Sequence, residues 1–400
     1  MSDLMPFEAA RAQLLAAVRP VSEYEVVALA AARNRVLAEP IHSPIAIPER
    51  DTSAMDGYAV RAADVAEPGV TLPVTQRIPA GSVGVPLQPG TAARIFTGAP
   101  LPEGADAVVM QEMTEAHGDH VTFHHAPRPG EAVRRAGSEV ARGARVLEVG
   151  TRLRPQEIAM AASVGCAHLP VFRRVKVALL ATGDELVAPG EPLPPGGVYN
   201  SNRYQLIALL EALGCLVTHL GAIPDTLEAT CDALARAAED ADLILSTGGV
   251  SVGEADHVKP AVERLGRLDL WRLRIKPGKP LAFGHVGATH FVGLPGNPVS
   301  SFVTFLLLVR PLLLRLMGVD DVLPHVIEVP AAFAWTRPDK RREFLRARLN
   351  ADGAAEIFPD QGSATIASLV WAQGLVEVPE GTPIAPGDRV RFLPMSELLA

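Results

Sequence analysis

The chain is poor in cysteine and has no excess of positive charge. Its three cysteines, Cys166, Cys215 and Cys231, are widely spaced and form no CxxC pair, which argues against a disulfide framework and favours a cytoplasmic protein. The formal net charge of -8 argues against a protein that coats nucleic acid, because such affinity comes mostly from lysine and arginine on phosphates. Nucleic acid is therefore not an expected partner.

A long apolar run is also missing. The most apolar segment, residues 302–317, is interrupted by Arg310, Pro311 and Arg315, and it is shorter than the roughly 20 residues that a bilayer span needs. We interpret it as a buried helix. Residues 1–20 hold no uninterrupted apolar core, so we expect neither a secretory signal nor a membrane partner.

With 400 residues, 48% of them hydrophobic and 20% charged, the chain has the composition of a multidomain globular protein. The fold class that we predict is α/β with additional β modules. Helices are predicted over residues 6–20, 25–38 and 150–165. The predicted divisions are a helical part (1–47, continued by 138–170), a β-rich insertion (48–137), a parallel-sheet α/β domain (171–318) and a C-terminal β domain (319–400).

Two glycine-rich loops in the α/β region follow strand-like runs. The run Leu243–Thr247 leads into Gly248, Gly249, Ser251 and Gly253, and the second loop is Gly293-Leu294-Pro295-Gly296-Asn297-Pro298. Such turns let backbone N–H groups approach an anion at the carboxyl edge of a parallel sheet. Neither GxxxxGK[ST] nor GxGxxG is present, and a tight strand-to-helix turn is the better interpretation of either loop taken alone.

Lysine is rare but clustered. The chain has five lysines, four of which lie between residues 171 and 318, and Lys276 and Lys279 fall between the two glycine-rich loops. An ammonium group binds phosphate as a point charge. A phosphate-bearing ligand is therefore the favoured interpretation of the two loops together.

Acidic residues follow the same strands. Asp184 and Glu185 come after the first strand of the α/β region, Asp225 after the second, and Asp256 ends the first glycine loop. Carboxylates at this edge are candidates to hold a hard cation that bridges phosphate oxygens. The structural alternatives are that Asp184 caps a turn and that Asp225 forms a capping box with Glu228.

Two further features lie outside the α/β region. Asp56-Gly57 is a turn signal at the start of the β-rich module, and Thr97 follows the predicted strand 92–96. The histidines at 117, 120, 124 and 125 match no tight zinc spacing, and Gly118-Asp119 is typical of a hairpin tip.

Taken together and in order, these motifs resemble the molybdopterin molybdenumtransferases, the MoeA family, which also occurs as the E domain of gephyrin. The matching strings are residues 53–60, 94–109, 134–137, 181–186, 200–203, 243–256, 275–280, 293–298 and 361–363. The resemblance implies an elongated four-domain homodimer with a helical dimerising domain, a β insertion, a molybdopterin-binding α/β domain and a C-terminal β domain.

The implied reaction converts adenylylated molybdopterin and molybdate into molybdenum cofactor and AMP, with Mg²⁺. Implied protein partners are a molybdopterin adenylyltransferase and recipient molybdoenzymes. By resemblance, Asp56 and Thr97 reach the site across the dimer, while Glu185, Asp225 and Asp256 form an acidic cluster with Glu185 and Asp256 on the metal. The implied ligand-binding residues are Gly248, Gly249, Ser251, Gly253, Lys276, Lys279, Pro295, Gly296, Asn297 and Pro298.

Two other functions remain open on the sequence. An adenylyltransferase of the same biosynthesis shares the α/β domain and a similar Gly-Gly loop, although it would not need the residues outside that domain. A non-catalytic scaffold is the other alternative, against which the acidic residues and the absence of a long linker argue.

Overall fold

The computed structural model describes residues 4–183, 185–221, 223, 226–248 and 257–399. Within these residues the chain forms three six-stranded sheets, and two-stranded sheets join segments that are distant in sequence. This agrees with an α/β fold that carries additional β modules.

The N-terminal segment contains one of the two helices predicted there. The helix Phe7–Ala17 forms because its apolar residues recur on one face, which is buried in the main core. The prediction of a second helix over Glu25–Ala38 is wrong. Tyr24–Ala28 is a strand that pairs antiparallel with His168–Phe172, and a single 3₁₀ turn, Leu29–Ala31, follows it. This partner lies about 140 residues away, and the pairing overrides local helix propensity.

The β-rich segment forms a six-stranded sheet whose hairpin turns at Gly118-Asp119, as predicted. Its strands are Gly57–Val60, Thr71–Ile78, Ala92–Ile95, Ala107–Met110, Thr114–His117 and His120–Phe123. The chain on either side of this segment pairs with itself, through Ile41–His42 with Arg145–Leu147 and Thr52–Ser53 with Val133–Arg134. The helix Pro155–Ser163 then begins at its proline, where the missing N–H costs nothing.

The central sheet is mixed. Four neighbouring strands are parallel, which confirms the predicted pattern: Leu216–His219, Lys176–Ala181, Leu243–Thr247 and Thr289–Leu294. Two antiparallel strands that the sequence pattern did not predict, Pro280–Val286 and Gly266–Arg272, extend this sheet on one side. A tight turn at Gly287, with φ of 58°, joins Pro280–Val286 back to Thr289–Leu294 and makes this antiparallel addition possible.

Four helices flank the central sheet: Ser201–Leu213, Leu227–Ala238, Val258–Leu265 and Pro298–Leu316. The predicted capping box at the second of them is wrong in its N-cap residue. Thr226 is the N-cap, and its Oγ1 accepts a hydrogen bond from the Ala229 N–H at 3.2 Å. Asp225 lies outside the described residues.

The helix Pro298–Leu316 has the length and mean hydropathy of a membrane span, but 89% of it is buried inside the fold. The buried-helix interpretation of residues 302–317 is therefore confirmed. Its middle turn, Phe305–Val309, is π-helical and entirely buried.

The C-terminal residues form the third sheet, as predicted from their short alternating runs. Its strands are Arg342–Leu349, Ala355–Ile357, Gly374–Val378, Arg389–Pro394 and Ile327–Pro330, and two short helices, Ala367–Trp371 and Met395–Leu399, accompany them. A two-residue strand from the α/β region, Ile275–Lys276, pairs in parallel with Arg342–Leu349. The C-terminal sheet is thus joined to the α/β region beside the lysine-bearing loop.

Candidate active site

A cavity of about 860 Å³ lies where the carboxyl ends of the parallel strands face the C-terminal sheet. Its wall comes from parts of the chain that are far apart in sequence: 185–186, 198–202, 276–280, 295–298 with Ser300, and 361–364, together with Gly248 and Arg341. Ligands of α/β sheets bind beyond this same strand edge. Of the residues predicted for ligand binding, the structure places Gly248, Lys276, Lys279, Pro295, Gly296, Asn297 and Pro298 on this wall.

The two glycine-rich loops touch each other at this edge. Gly248 has φ of +79°, and a Cβ there would lie 2.9 Å from the Thr182 carbonyl oxygen, so only glycine fits without strain. The Gly248 N–H donates to the Leu294 carbonyl at 3.2 Å, and a Cβ on Gly296 would be 3.8 Å from Gly248 Cα. Gly249, Ser251 and Gly253 of the first loop lie outside the described residues.

Two helices begin at the cavity. Asn200 caps Ser201–Leu213 by accepting a hydrogen bond from the Arg203 N–H at 3.0 Å, and the helix Pro298–Leu316 begins just after Asn297. Each N-terminus presents the positive end of its helix dipole to an anion in the cavity. Two such ends on one cavity wall favour a ligand with more than one negative group.

Asn202 connects the helix Ser201–Leu213 to both glycine-rich loops. Its Nδ2 donates to the Gly296 carbonyl at 2.6 Å and to Thr247 Oγ1 at 2.9 Å. Its Oδ1 is buried and accepts no hydrogen bond from the described residues. A buried acceptor without a donor is costly. Asn202 Oδ1 is therefore expected to accept a hydrogen bond from a ligand.

The loop Lys276–Pro280 carries the predicted lysines along the wall. Gly278 has φ of +107°, and a Cβ there would lie 2.3 Å from Thr304 Oγ1, so glycine lets the loop pack directly on the buried helix. The Lys279 side chain is exposed and makes no ion pair with the described part of the chain. Lys276 Nζ lies 3.0 Å from Glu343 Oε1 and 3.7 Å from Asp339 Oδ2.

Arg341 adds a third cation to the wall, and Asp339 holds it. Arg341 donates from Nη2 and Nε to the Asp339 carboxylate at 2.7 and 3.0 Å. These hydrogen bonds, reinforced by the nearby Lys276 charge, lower the pKa of Asp339 to about 2, and they raise the pKa of Arg341. Among the described residues, the charged side chains on the wall are Lys276, Lys279, Arg341 and Glu185, and the Asp339 and Glu343 carboxylates form ion pairs with Lys276 and Arg341.

Glu185 is the one predicted acidic residue that the structure places on the cavity wall. Its position is fixed from both sides: Leu186 N–H donates to the Gly183 carbonyl at 3.0 Å, and Val198 N–H donates to the Glu185 carbonyl at 2.8 Å. Gly183 has φ of +142°, and a Cβ there would lie 2.6 Å from Glu185 Oε2. Asp184, Asp225 and Asp256 lie outside the described residues.

No group of three or more metal-ligating side chains occurs among the residues that the structure describes. The histidines at 117, 120, 124 and 125 agree with this, because they pair with nearby carboxylates instead. Among the described residues, Glu185 is the carboxylate on the cavity wall that could hold a divalent cation, and Mg²⁺ usually takes several of its ligands from substrate phosphates and water.

Asp56 and Thr97 contact each other but do not line the cavity. Asp56 Oδ1 accepts hydrogen bonds from the Thr97 backbone N–H and from Thr97 Oγ1, both at 2.8 Å. The backbone bond, followed by the hydroxyl bond, lowers the pKa of Asp56. The pair therefore forms a fixed, charged unit on the β-rich sheet and is not part of the described cavity wall of its own chain.

The C-terminal sheet contributes wall residues that the site prediction missed. Asn297 Nδ2 donates to Ser363 Oγ at 3.0 Å, and Val299 N–H donates to the Ser363 carbonyl at 3.0 Å. The Gln361 side chain is held by the backbone of Arg346, accepting from its N–H at 2.9 Å and donating to its carbonyl at 3.1 Å. The strings Asn200–Arg203 and Gln361–Ser363 are part of the family resemblance, and that was their only sequence signal. Arg341 had none.

A second cavity of about 300 Å³ adjoins the first and shares Leu186 and Asn200 with it. Arg203, Tyr204 and His219 are among its lining residues, and the Arg203 guanidinium lies 5.5 Å from the Tyr204 ring centre. The two cavities together offer an extended site rather than a single anion pocket.

Comparisons with known proteins agree with this arrangement. Three family profiles match in order: "MoeA N-terminal region (domain I and II)" over residues 5–165, "Probable molybdopterin binding domain" over 178–315 and "MoeA C-terminal region (domain IV)" over 328–395. The molybdopterin molybdenumtransferase of Haemophilus influenzae is 39% identical, and the match covers 99% of this chain and 100% of that protein. The chain belongs to the molybdopterin molybdenumtransferase (MoeA) family. Its biosynthetic role is thus molybdenum cofactor synthesis, as a transferase.

Other molybdenumtransferases extend the comparison. Molybdopterin molybdenumtransferase 2 of Mycobacterium tuberculosis is 38% identical over 92% of this chain and 93% of that protein. The crystal structure of the molybdopterin biosynthesis MoeA protein of Pyrococcus horikoshii OT3 superposes with a TM-score of 0.85 at 30% identity, covering 98% of this chain and all of that one. The cavity lies between the segments matched by the molybdopterin-binding and C-terminal profiles of this family.

Proposed function

We propose that this chain transfers molybdenum from molybdate to adenylylated molybdopterin and releases AMP. The observation that carries the proposal is the cavity on whose described wall two glycine turns, two helix N-termini and three cationic side chains converge. A phosphoanhydride with two or more negative groups is the ligand that such a wall accommodates. The molybdopterin-binding match over residues 178–315 supports the pterin as the rest of the ligand.

The phosphate-binding role falls to backbone groups and lysines together. Gly248 and Gly296 bring main-chain atoms close to the ligand, while Lys279 extends an ammonium that makes no ion pair with the described residues. Pro295 and Pro298 keep the second loop rigid around Gly296 and Asn297. Gly249, Ser251 and Gly253 belong to the same proposed loop.

The reaction needs one bond to break at phosphorus. Water attacks the adenylyl phosphorus, the phosphoanhydride P–O bond breaks with its electron pair on the molybdopterin phosphate, and AMP departs with the water oxygen while the proton passes to solvent. Molybdate then bonds to the two dithiolene sulfurs of the pterin, and one of its oxygens leaves as water with the two thiol protons. These sulfurs are soft ligands that the cysteine-poor cavity does not have to supply. The protein contributes positioning and charge neutralisation, which is the usual division in phosphoryl transfer.

Mg²⁺ is part of the proposal, with Glu185 and Asp256 as its protein ligands and Asp225 as a further acid of the cluster. Glu185 lies on the described wall, and one or two protein carboxylates suit Mg²⁺, which takes its remaining ligands from phosphate oxygens and water. Bound there, the cation would neutralise charge on the phosphoanhydride. Glu185 would orient it from the rim next to Gly183.

Asp56 and Thr97 enter the proposal through dimerisation. Because the pair does not line the cavity of its own chain, we propose that it completes the cavity of a second copy in a cytoplasmic homodimer. A molybdopterin adenylyltransferase would supply the substrate, and recipient molybdoenzymes would take up the product.

The decisive experiment incubates purified protein with adenylylated molybdopterin, with and without molybdate and Mg²⁺, and measures AMP. We expect AMP formation that depends on both additions, and none from the Asp56→Ala variant although it stays folded. ATP consumption in the presence of unmodified molybdopterin would instead favour adenylyl transfer. Tight binding of the substrate without any turnover would favour a scaffold and contradict the proposal.

A further inference from the structure

Glu343 is a buried carboxylate that reaches the cavity through a lysine. Its side chain is 1% exposed and lies on the strand Arg342–Leu349 of the C-terminal sheet. The short strand Ile275–Lys276 pairs with it in parallel and sets Lys276 directly opposite Glu343. The register of this pairing brings Lys276 Nζ to 3.0 Å from Glu343 Oε1.

The Glu343 carboxylate is itself held in place. Its Oε2 accepts hydrogen bonds from Trp335 Nε1 and from the Asp339 backbone N–H, both at 2.8 Å. Asp339 adds a second carboxylate oxygen 3.7 Å from the same ammonium and is fixed in turn by Arg341. The contact of Oε1 with Lys276 is an ion pair without hydrogen-bond geometry, so the two hydrogen bonds to Oε2 are what fix the carboxylate beside the cavity.

The two cavity lysines therefore differ. Lys276 is tethered to an acidic pair of the C-terminal sheet, whereas Lys279, three residues later, is exposed and makes no ion pair with any residue that the structure describes. A free lysine loses rotamer entropy when it binds a ligand, and a tethered one has already lost it.

We propose that Glu343 is a positioning residue, which holds the Lys276 ammonium at a fixed point of the wall so that it meets the ligand phosphates in the transition state. This inference rests on the proposed function. Lys279, which has no such ion pair among the described residues, then adjusts its side-chain conformation to the bound ligand. The C-terminal sheet thereby contributes to the reaction through a residue that does not touch the substrate.

Removal of the Glu343 charge has two opposed consequences. The variant removes a negative charge near the cavity and releases the Lys276 ammonium from its ion pair. Both changes attract an anion, so a simple anion binds more tightly. The ammonium no longer occupies the fixed position, so the bond-breaking step becomes slower. A loss of overall structure would instead weaken anion binding and slow turnover together. Tighter binding combined with slower turnover therefore distinguishes a positioning role of Glu343 from a general structural role.

The test compares Glu343→Gln with Glu377→Gln, each alone and Glu343→Gln also in a Lys276→Gln background. Glu377 is a matched control because it lies in the same sheet, is 11% exposed and pairs with Arg342 and Arg391, away from the cavity wall. Turnover is measured as AMP release from adenylylated molybdopterin, and anion affinity as pyrophosphate binding by calorimetry.

For Glu343→Gln we expect kcat to fall about tenfold while pyrophosphate affinity rises about threefold. In the Lys276→Gln background the fall in kcat vanishes and only a smaller rise in pyrophosphate affinity remains, and Glu377→Gln changes neither quantity. An unchanged kcat, weaker pyrophosphate binding, or an equal loss of kcat with and without Lys276 would overturn the proposal.

If Glu343→Gln does not fold, the Trp335→Phe variant provides the test. It removes the indole N–H donor that orients the Glu343 carboxylate. We expect a smaller fall in kcat that again requires Lys276, and no fall would contradict the inference. Absence of AMP release by the unmodified protein would refute the proposed function instead, and the pyrophosphate measurement would still test Glu343.

Discussion

Asn297 donates a hydrogen bond from Nδ2 to Ser363 Oγ at 3.0 Å and thereby ties the second glycine loop to the C-terminal sheet. The backbone repeats the connection, since Val299 N–H donates to the Ser363 carbonyl. These contacts join the region of the central sheet to that of the C-terminal sheet and so close the cavity. Neither sheet needs the cavity in order to form. Its shape depends on how these sheets are joined.

Ser363→Ala removes the side-chain connection and leaves the backbone one in place. We expect the free energy of unfolding to fall by about 1 kcal/mol, the usual contribution of one hydrogen bond, and kcat/KM to fall about fivefold because the loop is less well fixed. Thr382→Ala, on an exposed turn of the same sheet, is the control and should change neither. Denaturant unfolding and AMP release measure the two quantities, and equal behaviour of both variants would contradict the prediction.

Lys279→Ala should weaken substrate binding more than turnover. The exposed ammonium is unpaired within the described residues, so its removal costs charge attraction without leaving a buried partner. We expect KM to rise about tenfold, with a weaker dependence of KM on ionic strength. Lys340→Ala removes an exposed lysine that is not on the cavity wall, and steady-state kinetics at two salt concentrations should show no effect for it.

Gly248→Ala tests the close approach of the first glycine loop to the sheet. Two effects add: φ of +79° disfavours any residue with a Cβ, and that Cβ would lie 2.9 Å from the Thr182 carbonyl oxygen. Gly118→Ala is the matched control, because Gly118 has φ of +60° but no atom within 4 Å of its Cβ position. We expect Gly118→Ala to cost about 1 kcal/mol of unfolding free energy and Gly248→Ala clearly more, with loss of pyrophosphate binding only for the latter.

The low pKa of Asp339 predicts a defined loss of stability in acid. Its folded-state pKa of about 2 lies below the unfolded value of 3.8, so its contribution is present above about pH 4 and is lost as the pH falls toward 2. After discounting for solvent screening, we expect a contribution of about 1 kcal/mol. Chemical denaturation between pH 2 and 5 should show a shallower pH dependence for Asp339→Asn than for the unmodified protein, and parallel curves would refute this assignment.

The sequence predicted the parts of the site that depend on local pattern. Gly248 and Pro295 follow buried parallel strands, and the carboxyl ends of such strands meet at one edge whatever the rest of the fold does. Arg341 and Gln361 could not be placed in this way, because they reach the cavity through the pairing of Ile275–Lys276 with Arg342–Leu349, a two-residue contact without a sequence signature.

The incorrect prediction of a helix over Glu25–Ala38 also results from a strand pairing that the sequence does not reveal. The apolar residues of this segment suit either structure, and the choice was made by the distant strand His168–Phe172, which pairs with Tyr24–Ala28 through a full antiparallel register. Long-range strand pairing is what a single sequence does not display. The buried helix Pro298–Leu316, in contrast, was predicted correctly because its composition alone requires burial.

Mixing two inactive variants tests whether the site is shared between subunits. Asp56→Asn alters the unit on the β-rich sheet and Glu185→Gln alters the cavity wall, and we expect each homodimer to lose most of its AMP release. In a heterodimer of the two, one cavity pairs an intact Glu185 with an intact Asp56 from the other subunit, and the second cavity lacks both.

Refolding an equal mixture of the two variants should therefore restore about a quarter of the normal activity, because half of the dimers are mixed and each carries one complete site. Each variant refolded alone is the control. If Asp56 acted within its own chain, every cavity would keep one altered residue and mixing would restore nothing. Recovery of activity in proportion to the mixed dimer, resolved by differently tagged subunits, would establish that Asp56 and Glu185 meet across the interface.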